Sequence, residues 1–263
     1  MILLITLIFF IFGLIIGSFL NVVILRYNTS RSFGGRSACM SCQNTLVWYE
    51  LVPLFSFIVL QGRCRNCQTK ISMQYPLVEL AAGLIFALLF IKFQHIFWGD
   101  TLTFVVTYAY YAVMFSLLIV ISVYDLKHKI IPDLLSFLLG LLGFVGIFFF
   151  DSSGFHLHMP ALWEFLAGPV IALPFALIWL LSRGTWMGLG DAKLAIGLGW
   201  LLGISRALSG IVVAFWSGAI IGIALIALTK KYGMKSEIPF APFLVLGAVI
   251  AFLFELHLFP IIR

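Results

Sequence analysis

The chain has 263 residues, of which 63% are hydrophobic, 16% aromatic and only 10% charged. Soluble domains carry about 25% charged residues, so the composition excludes a water-soluble globule, and the aromatic content excludes a disordered chain. The net charge of +6 would suit a nucleic acid only if the basic residues shared one soluble face. We therefore predict an all-α polytopic membrane protein that does not bind nucleic acid.

About eight transmembrane helices are predicted from apolar runs that end at charged residues, proline or glycine. A helix needs about 20 residues to cross the hydrocarbon core, and the sixth run is short for a full crossing. The predicted spans are residues 2–25, 76–93, 102–124, 133–150, 162–182, 192–204, 207–229 and 240–260.

The basic residues predict the orientation of these spans. If successive loops alternate between the two sides, 13 basic residues lie on one side and 3 on the other. The positive-inside rule makes the first side cytoplasmic and places both termini outside. The cytoplasmic set is Arg26, Arg31, Arg36, Arg63, Arg65, Lys70, Lys127, Lys129, Arg183, Lys193, Lys230, Lys231 and Lys235, and the outer set is Lys92, Arg206 and Arg263.

Three regions follow from this pattern: residues 1–25 as the first transmembrane helix, residues 26–75 as a small cytoplasmic domain and residues 76–263 as the transmembrane core. A cleaved signal peptide is the alternative for the first region. It is disfavoured because no basic segment precedes the apolar run, and the run is longer than a signal peptide requires.

The cytoplasmic region contains all four cysteines of the chain as two CxxC pairs separated by 21 residues. The ligands Cys39, Cys42, Cys64 and Cys67 would form a closed tetrahedral shell around zinc. A closed shell leaves no open position for catalysis, so the predicted role is structural. Two disulfides or a redox dithiol are the alternatives, disfavoured by the reducing cytoplasm, and iron would use the same four thiolates.

Two aspartates are expected near the cytoplasmic membrane face. Asp125 ends the third span, and Pro132 stops the helix beyond it. Asp191 opens the sixth span after Gly188 and Gly190, where it would also serve as a helix cap. Taken singly, each aspartate is explained equally well by a capping or surface role.

As a pair, Asp125 and Asp191 suit peptide hydrolysis. Two carboxylates in one partly buried site share a proton, because like charges held close together cannot both ionise. The ionised member would activate water, while the protonated member polarises the carbonyl and later protonates the leaving amine. The helix dipole favours the anion at Asp191 and the acid at Asp125.

Beyond these residues, the chain resembles the type IV prepilin peptidases, which are leader peptidases and N-methyltransferases of the GxGD class of intramembrane aspartyl proteases. A lone GxGD motif would be weak evidence for this resemblance. The ordered set of family motifs is strong evidence, because it spans nearly the whole chain. Met40 and Ala241 depart from the usual proline and glycine. The set comprises Gly17 to Arg26, the paired CxxC with Trp48-Tyr-Glu50 between, Tyr75 to Glu79, Asp125 with Ile131-Pro132-Asp133, Gly188 to Lys193, and Pro239 to Phe243.

The resemblance implies that Asp125 and Asp191 are the catalytic pair and that the four cysteines bind the metal. It implies cleavage of the basic leader of prepilins and pseudopilins after a glycine, on the cytoplasmic side of the bacterial inner membrane. It also implies methylation of the new N-terminus from S-adenosylmethionine. Methylation has no support in the residues themselves, because the sequence has no glycine-rich nucleotide loop.

A proton- or cation-coupled transporter is the competing class, because paired intramembrane aspartates also carry ions. Transport sites usually lie near the bilayer midplane, whereas both aspartates are predicted near one face. Four further polar residues, Asn21, Arg26, Glu50 and Glu79, are candidates without an assigned role.

Overall fold

A computed structural model describes residues 1–29, 32, 34–151, 154–228 and 238–258. Within the predicted topology, Arg31, Lys230, Lys231, Lys235 and Arg263 lie outside the described residues. The chain divides into two compact units, Met1–Gln94 and His95–Arg263.

The described residues are mainly helical. The helices are α1 (Ile2–Arg26), α2 (Phe55–Val59), α3 (Gln74–Gly99), α4 (Thr101–His128), α5 (Asp133–Gly146), α6 (Leu162–Ser182), α7 (Leu189–Leu202), α8 (Ile204–Leu228) and α9 (Ala241–Leu253). A short 3-10 helix covers Trp48–Leu51, and strands β1 (Phe150–Asp151) and β2 (Gly154–Phe155) form an antiparallel hairpin.

The structure confirms a mainly helical protein with candidate membrane spans, and the predicted count of eight spans stays a prediction. Each predicted span overlaps one of the longer helices, although the predicted spans 133–150 and 240–260 extend beyond α5 and α9. Residues 229, 259 and 260 of the predicted spans lie outside the described residues. Among the described residues, five helices are long and apolar enough to cross a membrane, namely α1, α3, α4, α6 and α8. Helices α5 and α9 are apolar but shorter, with 14 and 13 residues.

In the first unit, α1 and α3 pack through small residues. A Cβ atom added to Gly13 would lie 2.7 Å from the Ala82 carbonyl oxygen, and one added to Gly17 would lie 2.7 Å from the Glu79 Cα. Small residues allow membrane helices to approach backbone to backbone. Close packing matters there because the hydrophobic effect does not drive helices together in lipid. The spacing of Gly13 and Gly17 places both on one helix face.

In the second unit, α7 is packed against its neighbours on several sides. A Cβ atom added to Gly199 would lie 2.5 Å from the Ala167 oxygen in α6, and one added to Gly197 would lie 2.9 Å from the Leu139 side chain in α5. Most of the remaining residues of α7 are also buried. Contact on several sides explains why this short helix is apolar around its circumference.

Helix α4 completes this unit by packing against α9. The ring of Phe252 lies 5.1 Å from that of Phe115 and 4.7 Å from that of Tyr111, measured between centroids. At the other end of α4, Lys129 adopts the left-handed conformation, and its amide donates to the Asp125 carbonyl oxygen at 2.7 Å. This cap ends α4 just after Asp125 and fixes where that carboxylate lies.

Candidate active site and metal centre

Asp125 is a buried carboxylate in the last turn of α4, with 5% of its surface exposed. Its Oδ2 accepts a hydrogen bond of 3.2 Å from the amide of Ala241, the first residue of α9. An amide at the start of a helix is a donor without an intrahelical partner, so it is free to bind a carboxylate. The contact positions Asp125 at the junction of α4 and α9.

Asp191 is the second buried carboxylate, with 8% of its surface exposed, and lies in the first turn of α7. Its amide donates to the Gly188 carbonyl oxygen at 3.3 Å, which begins the helix. Its Oδ1 is buried and has no hydrogen-bond partner among the described residues. A buried oxygen of this kind needs a donor, and water or a substrate group would supply one.

The carboxylates of Asp125 and Asp191 are close enough for their charges to interact. Gly190 allows the start of α7 to approach the connection between α4 and α5, because a Cβ atom there would lie 2.9 Å from the Cβ of Ile131. A second contact joins α7 to α5, where Lys193 Nζ lies 2.7 Å from Asp133 Oδ1. The structure therefore brings together the two aspartates singled out from the sequence.

Two acidic groups in one buried place are suited to acid–base chemistry. Repulsion between two carboxylates favours a state in which they hold one proton between them. That state provides an acid and a base without any further residue. Of the site's groups, the Ala241 amide was missed by residue-level reasoning, although it lies in the motif from Pro239 to Phe243.

Gly188 differs from Gly190 in its surroundings. A Cβ atom on Gly188 would lie 3.8 Å from Asp191 Oδ2, an ordinary contact distance, and its backbone is in the extended region that any residue adopts. Packing therefore explains the glycine at 190 but not the glycine at 188.

The four cysteines form one cluster, in which the sulfur atoms all lie within 4.8 Å of one another. Tetrahedral zinc with bonds of about 2.3 Å places its sulfur ligands about 3.8 Å apart. The Sγ atoms of Cys39 and Cys67 are 3.7 Å apart, and all four cysteines are free. The donor set thus fits a tetrahedral metal ion.

The two CxxC pairs adopt the same backbone turn. The Cys39 amide donates to Asn44 and the Cys64 amide to Thr69, each at 2.9 Å. The residues Gln43 and Gln68 each have a φ of 57°. Because each turn directs its two sulfurs to one side, the repeated geometry predicts a four-sulfur site built from two equal halves.

Hydrogen bonds also favour the thiolate form of Cys67. The Thr69 hydroxyl, 3.3 Å from the sulfur, and then the Thr69 amide lower the pKa of Cys67 to about 6. A thiolate is the form of cysteine that binds metal.

The four polar residues without an assigned role, Asn21, Arg26, Glu50 and Glu79, each form hydrogen bonds with backbone groups. The side chain of Asn21 donates to the carbonyl oxygens of Gly17 and Tyr75, at 3.3 and 3.1 Å. Glu50 accepts from the Val47 amide at 3.0 Å. Arg26 and Glu79 bind backbone groups within residues 26–75: Arg26 donates to Ser32 and Gly34, and Glu79 accepts from Leu54.

Comparison with known proteins gives two family matches. Residues 11–93 match the bacterial peptidase A24 N-terminal domain, and residues 112–225 match the type IV leader peptidase family. None of the solved structures gives a significant match.

Several curated proteins are similar over most of the chain, and three of them share the name prepilin leader peptidase/N-methyltransferase. One from Bacillus subtilis (strain 168) is 33% identical, covering 94% of this chain and 93% of its own length. One from Aeromonas hydrophila is 33% identical, with coverages of 93% and 89%. One from Myxococcus xanthus (strain DK1622) is 35% identical over 87% of this chain, which spans 65% of that protein. This chain belongs to the type IV leader peptidase family, a family of proteases.

Proposed function

We propose that this protein is a membrane aspartic endopeptidase that removes the basic leader of type IV prepilins and pseudopilins after a glycine. The observation that carries the proposal is the pair of buried carboxylates, Asp125 and Asp191, at the ends of two helices in one unit. The names of the similar proteins support the substrate class. The transporter alternative receives no support from these comparisons.

The two aspartates would divide the chemistry. Asp191, at the start of α7, is favoured as the anion by the helix dipole and would take a proton from the attacking water. Asp125, at the end of α4, would hold the shared proton, polarise the scissile carbonyl and then protonate the leaving amine. The bond from the Ala241 amide would orient the Asp125 carboxyl during this exchange.

The finer topology belongs to the same proposal. The eight helices that overlap predicted spans would cross the bacterial inner membrane, with residues 26–75 in the cytoplasm. The excess of basic residues on that side supports this orientation. The ends of α4 and α7 that carry the aspartates would then face the cytoplasm, where a basic leader remains.

Two further parts of the proposal concern small molecules. Cys39, Cys42, Cys64 and Cys67 would hold structural zinc, as their sulfur separations allow. The protein would also methylate the new N-terminus, with S-adenosylmethionine as co-substrate. The double name of the similar proteins supports this second reaction.

The test is mass spectrometry of a purified prepilin incubated with the full-length protein and S-adenosylmethionine. We expect the wild type to remove the leader and add one methyl group, and Asp125→Asn and Asp191→Asn each to leave the substrate intact. The control is Asp100→Asn, which alters an exposed carboxylate at the start of α4, at the opposite end of that helix from Asp125. That variant should still cleave.

Cleavage by either catalytic variant at the wild-type rate would refute the aspartyl mechanism. Cleavage without methylation would remove only the second reaction from the proposal.

A further inference from the structure

The segment between the two CxxC turns exposes large apolar side chains. Trp48, Phe55, Ile58 and Val59 have 78%, 63%, 71% and 60% of their surfaces exposed. They come from the 3-10 helix Trp48–Leu51 and from α2, which are separated by three residues and contact each other. Large apolar side chains exposed together on two contacting elements mark contact with a partner or with a membrane.

A hydrogen bond fixes the middle of this segment to a membrane-spanning helix. The Leu54 amide donates to Glu79 Oε2 at 2.8 Å, and the Ser18 hydroxyl of α1 also binds the Glu79 carboxylate. Glu79 is the sixth residue of α3, and helix side chains tilt toward the N-terminus, so its carboxylate holds Leu54 within reach of the first two turns of that helix. Leu54 therefore lies at the N-terminal end of α3.

At that level of α3 the outward surface is apolar. Leu77 and Leu80, which flank Glu79 in the sequence, are both exposed. In a helix that crosses the bilayer, exposed leucines face lipid. Residues 48–59 are thus tied to α3 where the helix already presents hydrocarbon side chains outward.

The backbone at this position meets the requirement for a loop near lipid. Leu54 has a φ of 58°, in the left-handed region, and cannot continue a regular helix or strand there. An unpaired amide at the edge of the hydrocarbon would be costly, and Glu79 satisfies it. A buried Glu79 would itself be costly without such a partner.

The charges around the segment complement anionic lipid headgroups. Residues 26–75 contain six basic residues and one acidic residue, Glu50. The three basic residues nearest after the segment, Arg63, Arg65 and Lys70, are exposed. The Arg65 guanidinium donates to the Tyr49 hydroxyl and lies 5.5 Å from the centre of its ring. Aromatic and basic side chains together are typical of segments that lie in the membrane interface.

We propose that residues 48–59 are a membrane-interface anchor that inserts Phe55, Ile58 and Val59 among the anionic lipids where α3 enters the bilayer. Glu79 is the positioning residue that sets the depth of this anchor through the Leu54 amide. The anchor would hold the four-cysteine domain against the membrane face. The proposal does not depend on the proteolytic activity.

The test is photo-crosslinking of the full-length protein in nanodiscs of phosphatidylglycerol and phosphatidylethanolamine, with a purified prepilin present. One variant carries Ile58→p-benzoylphenylalanine, and the control carries Asn44→p-benzoylphenylalanine in the first CxxC turn, which is also exposed. We expect lipid adducts from position 58 and none from position 44. Adducts from position 58 to the prepilin or to a second copy, or no lipid adduct there, would overturn the proposal.

The positioning role is tested in the variant that carries the probe at position 58. Glu79→Ala should abolish the lipid adduct, because no acceptor remains for the Leu54 amide. Glu79→Gln keeps a carbonyl acceptor and should restore the adduct. Persistence of the adduct in Glu79→Ala, or its loss in Glu79→Gln, would refute the role of Glu79. Should Glu79→Ala fail to fold, Glu79→Leu, which keeps more of the side-chain volume but offers no acceptor to the Leu54 amide, takes its place and should likewise abolish the adduct.

Discussion

At the scale of single residues, the proximity of Asp125 and Asp191 depends on groups that carry no charge. The Ala241 amide holds one carboxylate, and the missing side chain of Gly190 allows the start of α7 to approach Ile131. Each of these contacts involves a backbone atom or the absence of an atom. Substitutions that add volume should therefore disturb the site even though they remove no charge.

The two glycines before Asp191 provide a prediction at this scale. Gly190→Ala places a Cβ atom 2.9 Å from Ile131, and overpacking of this kind costs roughly 1–3 kcal/mol. We expect lower thermal stability in detergent and reduced cleavage. Gly188→Ala is the matched control, with no contact shorter than 3.8 Å, and should keep the wild-type melting temperature. Equal melting temperatures for the two variants would contradict the packing argument.

At the scale of elements, the two CxxC turns and the α1–α3 pair each rely on a repeated local feature. The turns share their hydrogen bonds and their left-handed glutamines, Gln43 and Gln68. The helix pair relies on Gly13 and Gly17, one turn apart. Both features are recognisable in the sequence because they depend on short spacings.

Metal content is predicted for the CxxC element. The wild type should retain one zinc ion per chain, and Cys42→Ser and Cys67→Ser should each lose it, because a closed shell needs all four thiolates. Met40→Ser is the control, since this exposed residue lies between two ligands without offering one. Elemental analysis of the purified variants measures the result. A full metal content in either serine variant would argue against a four-cysteine site.

Helix packing gives a second prediction for elements. Gly17→Ala introduces a Cβ atom 2.7 Å from the Glu79 Cα and should separate α1 from α3, at a cost of roughly 1–3 kcal/mol. Gly99→Ala, where nothing lies within 4 Å, should leave stability unchanged. Thermal unfolding followed by size-exclusion chromatography distinguishes the two. Comparable stability in both variants would exclude close packing at Gly17.

At the scale of the whole molecule, the distribution of basic residues is the basis for orientation. The 13 to 3 division between alternate loops predicts which loops are cytoplasmic. Under that arrangement, the connection from α4 to α5 and the connection from α6 to α7 share one side. These are the connections next to Asp125 and Asp191.

Reporter fusions test this orientation. Alkaline phosphatase fused after Lys129 or Arg183 should be inactive, because both positions are predicted to be cytoplasmic, whereas a fusion after Asp151 should be active. Green fluorescent protein at the same positions should give the opposite pattern. Activity of the phosphatase at Arg183 would refute the proposed eight-span arrangement.

By itself, the sequence determined the membrane class, the helical character, the CxxC pairs and the two aspartates worth testing. These properties follow from composition, short spacings and residue chemistry. The tertiary structure decided that Asp125 and Asp191 approach each other, that Ala241 binds one of them and that Leu54 binds Glu79. Those contacts join residues between 25 and 116 positions apart, so they depend on how the helices pack. Packing depends on small residues such as Gly190, whose neighbours no local pattern specifies.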